Sequence, residues 1–301
     1  MQVLKQVKSA APKTFILFSF LIFGISFSVG AQEKIHDYKF DSTKSYLIKL
    51  TDGTNFFGKV LETTSTSVIM QTKSVPRIEI PLAQIKDVEV IQATNIKNGA
   101  YWFPNPHATR YYYSPSAISL KKGEGYYQNT YLFLNSVHYG VTNNISVGAG
   151  IEFISTFSGY PIIYVTPKIS FQVADQFYAG AGVLLASLPE IDEGGRGAAG
   201  IGYGIGTYGN SENSVTVGLG YGFIRDEMAK QPVITISGMT RISKKASLVS
   251  ENWIVPGNAF FSYGVRFFGE KISVDLALVN NADIAEVLPI GIPFVSVAIK
   301  F

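Results

Sequence analysis

Residues 291–301 read GIPFVSVAIKF, and the alternation in this stretch decides the fold. Val295, Val297, Ile299 and Phe301 share one parity, while Ser296, Ala298 and Lys300 share the other. That is the two-residue period of a strand with one oily face and one small or polar face. Chain termini fray unless they are tied down, so an apolar alternating segment here predicts a strand docked into a sheet.

The same texture extends upstream. Ile145, Val147, Ala149, Ile151 and Phe153 oppose Ser146, Gly148, Gly150 and Glu152. Ile163, Val165, Ile169, Phe171 and Val173 oppose Tyr164, Thr166, Lys168, Ser170 and Gln172. Val215 to Phe223 and Ile272 to Leu278 repeat it. From Tyr126 onward the chain reads as strands and turns: one strand near 126–139, then ten more segments ending with 293–301. Many have about the ten residues that a tilted strand needs to cross a bilayer. A further strand from 108–119 brings the expected count to twelve, with ten as the second choice, since a simple barrel with both ends on one side needs an even number.

A β-sandwich produces the same parity with its oily face inward, whereas a membrane barrel turns that face to lipid. Composition favours the barrel: 47% of residues are hydrophobic, only 16% are charged, and there are 29 Gly and 17 Tyr. The start of the chain agrees. A lysine-bearing segment to Lys13, the apolar run TFILFSFLIFGISFSV and the small residues Gly30 and Ala31 have the parts of a secretory leader, read as residues 1–31 with cleavage after Ala31. Lys5, Lys8 and Lys13 account for the whole formal charge of +3, so the basic pI indicates no nucleic-acid partner. With no Cys, disulfides and thiolate metal sites are excluded.

Between the leader and the barrel, YLIKL, FFGKVLET, SVIMQTK, RIEIPL and IKDVEVI are five short strand candidates, with TDGT at 51–54 as a turn signal. The stretch LTDGTNFFGKVLETTSTSVIMQT followed by IEIPLAQIKDVE resembles the Sm-like or SH3-like small barrels, in which an Asp-Gly turn precedes a bent, Gly-containing strand. Some members bind RNA, but MQTKSVPR lacks their Asn-containing signature, so Lys73 and Arg77 read as solvated surface. The next segment, ATRYYYSPSAISLKKGEGYYQNTYLF, resembles a linker leading into an outer membrane barrel of uncharacterised exported Gram-negative proteins. Its Tyr111, Tyr112 and Tyr113 suit a barrel opening, the lipid headgroup level or a packed core. The parity of Val295, Val297, Ile299 and Phe301 resembles the final-strand signal that barrel-assembly machinery recognises.

Gly200, Gly202, Gly204 and Gly206 fall on one face of a single strand, and Gly180, Gly182, Gly218, Gly220 and Gly222 repeat the habit nearby. This is no phosphate loop, because the glycines lie within a strand pattern rather than at a strand-to-helix turn. A glycine wall leaves room for interior aromatics, a plug or a narrow aqueous path.

Catalytic signals are sparse. His36, His107 and His138 are scattered, no HExxH or compact ligand set exists, and neither a metal nor a cofactor is expected. His138, Ser136 and Glu152 are the candidates for a hydrolytic constellation, in which nucleophile, base and orienting group must lie within hydrogen-bond reach. Glu152, Lys168, Arg266 and Asp275 fall on the interior parity and are expected to pair, line water or contact a plug.

The expectation is thus an all-β chain: leader 1–31, a periplasmic Sm/SH3-like domain 32–95, a linker 96–125 and an outer membrane antiparallel transmembrane β-barrel 126–301. Its expected role is a non-enzymatic envelope scaffold or a narrow channel, the alternative being a lipid-modifying or proteolytic outer membrane enzyme. Outer membrane lipids, the barrel-assembly machinery and a periplasmic protein are the expected partners.

Overall fold

The computed structural model describes residues 39–91, 95–98, 100–157, 159–188 and 197–301. The leader, its cleavage point and His36 lie outside the described residues. The chain divides into two compact units, Met1–Tyr101 and Trp102–Phe301.

The first unit contains an antiparallel sheet of β1 (Ser45–Leu50), β2 (Asn55–Thr63), β3 (Ser67–Gln71), β4 (Ile78–Pro81) and β5 (Ile85–Ile91). The strand order is β4-β3-β2-β1-β5, and a single 3-10 turn, Leu82–Gln84, separates β4 from β5. Tyr46, Ile48, Val60, Val68, Met70, Ile80 and Ile85 form its core. At Gly58 an added β-carbon would stand 1.9 Å from the Gln71 carbonyl oxygen, and a register shift follows between Val60 and Glu62. Only glycine permits that approach as β2 bends.

The second unit is a closed barrel of twelve antiparallel strands among the described residues. They are β6 (Gly125–Thr130), β7 (Leu134–Gly140), β8 (Ile145–Glu152), β9 (Ile162–Val165 and Lys168–Ala174), β10 (Phe177–Leu188) and β11 (Gly197–Gly209). The circuit continues through β12 (Asn213–Ile224), β13 (Val233–Ser243), β14 (Ala246–Val255), β15 (Asn258–Phe268), β16 (Ile272–Asn280) and β17 (Ile292–Lys300). β17 pairs with β6, which closes the ring. Both pieces of β9 lie between β8 and β10, and the ladder runs through the interruption at Thr166–Pro167 by reciprocal Gly148–Thr166 hydrogen bonds.

The parity is resolved in favour of a membrane barrel. Val215, Val217 and Leu219 are more than half exposed, whereas Ser214 and Thr216 on the opposite parity are buried. A sandwich requires the reverse. An apolar outer face that continues around the ring greatly exceeds the patches of roughly a few hundred Å² tolerated on soluble proteins. A closed ladder leaves no unpaired edge, which is the condition for strands to cross lipid.

Three sequence expectations are corrected. The single strand near 126–139 is a hairpin, β6 to β7, turning through Tyr131 and Leu132 at φ 54° and 70°. The twelfth strand is therefore not 108–119, whose only strand-like pairing is an isolated Arg110–Pro115 bridge. Lastly, Gly202, Gly204 and Gly206 face outward, because Ile205 and Thr207 on the other parity of β11 are buried. The interior glycines are those of the adjacent strands: Gly182 pairs with Tyr203, Gly218 with Ile205 and Gly220 with Tyr203. They clear the volume that the inward Tyr203 and Ile205 occupy.

Candidate functional site

The chain's own segment 102–122 enters the lumen as a plug, most of its residues buried. Tyr111, Tyr112, His107, Ser114, Ser116 and Ala117 are all at most 1% exposed. Such a segment has few ladder partners for its peptide groups, and each buried orphan costs free energy. Side chains of the barrel wall supply the missing partners, and their charge follows the polarity of the group they meet.

Glu251 of β14 accepts hydrogen bonds from the backbone N–H groups of Tyr112 (2.8 Å), Tyr113 (3.0 Å) and Ser114 (2.8 Å), and from Trp253 Nε1 (2.7 Å). Cations take the carbonyls. Arg266 of β15, wholly buried, donates from Nη1 to the His107 and Arg110 carbonyls and from Nη2 to that of Tyr111. Its guanidinium also holds Asp275 of β16 through Nε (2.6 Å) and Nη2 (3.1 Å), and Asp275 accepts a bond from Ser296 Oγ (2.8 Å). This fork geometry lets one residue satisfy both a carboxylate and several peptide oxygens. Lys168 of β9 gives its ammonium protons to the carbonyls of Ser116 (2.7 Å), Ile118 (3.2 Å) and Thr109 (3.4 Å).

Neutral groups complete the seam. Ala117 N–H donates to Thr207 Oγ1 (2.8 Å), and Tyr112 Oη donates to the Val249 carbonyl (2.9 Å). Tyr111 Oη lies 2.8 Å from Thr216 Oγ1, and Tyr112 packs against Phe294 with ring centroids 5.0 Å apart. At one end of the barrel, Arg241 pairs with Glu212, donates to the Phe103 carbonyl and lies over the rings of Trp102, Phe103 and Phe268.

Of the interior charges expected from parity, Arg266 and Asp275 form an ion pair and Lys168 contacts the plug. Glu152 does neither. It is at the end of β8, where its carboxylate accepts from the N–H groups of Ile154 and Ser155 and opens the short helix α1 (Phe153–Phe157). Ser136 Oγ and His138 Nε2 stand 3.1 Å apart, both buried, with the imidazole stacked on Tyr126 at 4.7 Å. No hydrogen bond joins Glu152 to His138 among the described residues. Val295 and Ile299 are exposed outward and Phe301 is 60% exposed, while Phe294, Ser296 and Ala298 face inward.

Glu251 and Arg110 escaped the sequence reading, and His107 entered it only as one of three scattered histidines. The signal that could have found Glu251 is its parity, which it shares with Ser247 and Val249 against Leu248 and Ile254 in ASLVSENWIV. Among the described residues, no group of three or more His, Asp or Glu is arranged to hold a metal ion.

The barrel, its apolar exterior and its polar seam define an outer membrane β-barrel protein with an occupied lumen. No protein-family model and no curated protein matches the chain. Among solved structures it is similar to the NanC porin (10% identity, 59% of this chain and 97% of that chain, TM-score 0.36). It is also similar to OmpT, an outer membrane protein of Vibrio cholerae, in its outer-membrane-expressed form (10%, 88% and 99%, TM-score 0.31) and as the loop L8 deletion mutant (11%, 86% and 96%, TM-score 0.30). Identity and TM-scores this low transfer nothing further from those proteins to this one.

Proposed function

We propose that this chain is a non-enzymatic scaffold of the outer membrane, a barrel sealed by its own plug that carries a small β module on the periplasmic side. The observation that carries this reading is the wall-to-plug seam: Glu251, Arg266 and Lys168 together hold peptide groups of His107 to Ile118. A porin needs a water-filled path, and hydrogen-bonded backbone inside the lumen favours a closed barrel over an open one.

The turns support one sidedness over the other. The hairpins at Asp175–Gln176, Asn210–Glu212, Lys244–Lys245 and Gly269–Lys271 are short, and the segment leading into β6 lies at that same end. The other end carries the longer connections 153–161, 225–232 and 281–291 beside the short turns 131–133 and 256–257. Short turns predominate on the periplasmic side of such barrels, which favours that end as the periplasmic one. The strand order β4-β3-β2-β1-β5, the 3-10 turn before β5 and the bend at Gly58 favour an Sm/SH3-like module, suited to binding a periplasmic protein. Outward Val295, Val297, Ile299 and Phe301 suit recognition by assembly machinery as well as contact with lipid.

The hydrolytic alternative has the Ser136–His138 contact in its favour, but no orienting carboxylate bonds to His138 among the described residues, and both side chains are buried. Planar-bilayer recording on folded, reconstituted protein tests the proposal. The expected result is no steady conductance from the intact chain and ohmic conductance once residues 104–120 are deleted. Steady conductance from the intact, plugged protein would replace the scaffold with a narrow channel.

A further inference from the structure

Charge inside the barrel is unevenly answered. Arg266 has Asp275, and Glu251 has three peptide N–H groups, but Arg110 of the plug and Lys168 of β9 line a common cavity that contains no carboxylate. Thr109, Tyr126, His138, Ser146, Thr166 and Tyr203 complete its polar lining. Arg110 Nε and Thr166 Oγ1 are buried there without a hydrogen-bond partner, and Thr166 is only 8% exposed. The bond from the Arg110 guanidinium to Gln128 Oε1 is long, at 3.4 Å. Lys168 spends its protons on plug carbonyls, which satisfies its donors and leaves its charge unbalanced.

The space open to the centre of a water-sized sphere is about 20 Å³, room for a water molecule or a small ion. A water molecule would bring no counter-charge to the Arg110 guanidinium in a low-dielectric lumen. We infer that the cavity binds a single halide-sized monoanion between Arg110 Nε–H and the Thr166 hydroxyl, with Lys168 supplying further positive potential. Because Arg110 belongs to the plug and Thr166 and Lys168 to the wall, the ion pins one to the other.

Bromide serves as the crystallographic probe and chloride as the solution probe. Crystals of the full-length folded protein soaked in sodium bromide are expected to give an anomalous peak within hydrogen-bond distance of Arg110 Nε and Thr166 Oγ1. In detergent, chloride is expected to raise the unfolding midpoint saturably relative to gluconate at equal ionic strength. The near-isosteric Thr166→Val variant preserves the packing and is expected to weaken the half-saturating chloride concentration about tenfold or more, the worth of one hydrogen bond to a charged group. Arg110→Met is expected to abolish the response. Absence of a bromide peak at this position, or equal midpoints in chloride and gluconate for the unmodified protein, overturns the inference.

Discussion

Glu251→Gln is the most informative single change, because it keeps the shape of the side chain and alters only what its end group offers the plug. The carboxylate accepts from three consecutive peptide N–H groups of the plug and from the Trp253 indole. An amide has one oxygen to offer. If that oxygen stays with Tyr112, Tyr113 and Ser114, the NH2 group is directed at Trp253 Nε1, and two donors oppose each other. Each of the three plug bonds falls from charge-assisted to neutral, a loss of about 1 kcal/mol apiece, and the stranded indole donor costs about 1–3 kcal/mol more. The plug is thus expected to be held about 4–6 kcal/mol less tightly. At 1.4 kcal/mol per decade that is about three to four decades in its opening equilibrium. Native-state hydrogen exchange reads this directly: the amides of Tyr112, Tyr113 and Ser114 are expected to lose protection by about that factor, while ladder amides of β12 and β16 keep theirs. Unchanged protection at these three amides in a folded Glu251→Gln barrel would refute the reasoning.

Further expectations follow from the wall. Gly182→Ala places a β-carbon 2.4 Å from Tyr203 Oη and Gly148→Ala one 2.3 Å from both His138 Nδ1 and Thr166 Oγ1, so each is expected to lower the urea-unfolding free energy by about 1–3 kcal/mol. Gly202→Ala and Gly204→Ala meet nothing within 4 Å and are expected to be neutral or stabilising by up to about 1 kcal/mol; the opposite ranking would invert the facing of β11. Burial acts to raise the pKa of Glu124, but hydrogen bonds from Lys300 Nζ (2.9 Å) and the Lys121 N–H (3.0 Å), with the charges of both lysines, outweigh it and leave the carboxyl below its ordinary range. A depressed carboxyl stabilises the fold above its unfolded pKa and loses that contribution as pH falls through the folded value. The stability difference between the unmodified protein and Glu124→Gln is therefore expected to be full at pH 6 and to vanish in the acid range below the folded pKa; a difference constant to pH 2 would contradict it. His138→Ala is expected to leave any lipid or peptide turnover of a preparation unchanged, and loss of turnover with retained folding would restore the hydrolytic alternative.

Parity made the wall legible wherever outward and inward residues differ in kind, as in Val215 to Leu219 against Ser214 to Gly218. It failed at TYLF, where Tyr131 and Leu132 take up positive φ without the Gly or Asn that normally marks such a turn, so a hairpin read as one strand. Parity also misled at β11, since a rule of apolar outward and small inward assigns Ile201, Tyr203 and Ile205 to lipid. Those residues turn inward because the lumen holds the plug and the neighbouring Gly182, Gly218 and Gly220 leave them space. The plug itself was visible only as a turn-rich aromatic stretch with Pro104, Pro106 and Pro115. Nothing local in that stretch says that Glu251, more than a hundred residues away, will satisfy its amides. Charge pairing within one hairpin, Arg266 with Asp275, was within reach of the sequence, and charge-to-backbone pairing across the lumen was not.

The central claim is that segment 102–122 occupies the barrel interior, and a disulfide trap tests it most directly. The chain has no cysteine, so a pair introduced at Ala117 and Thr207, whose backbone N–H and Oγ1 are 2.8 Å apart, can only bond to each other within one molecule. In folded protein recovered from membranes, the double variant is expected to cross-link nearly completely under mild oxidation, detected as a reducible shift in the mobility of the denatured chain. A correctly folded barrel in which the two cysteines remain fully reactive toward maleimide would contradict the account.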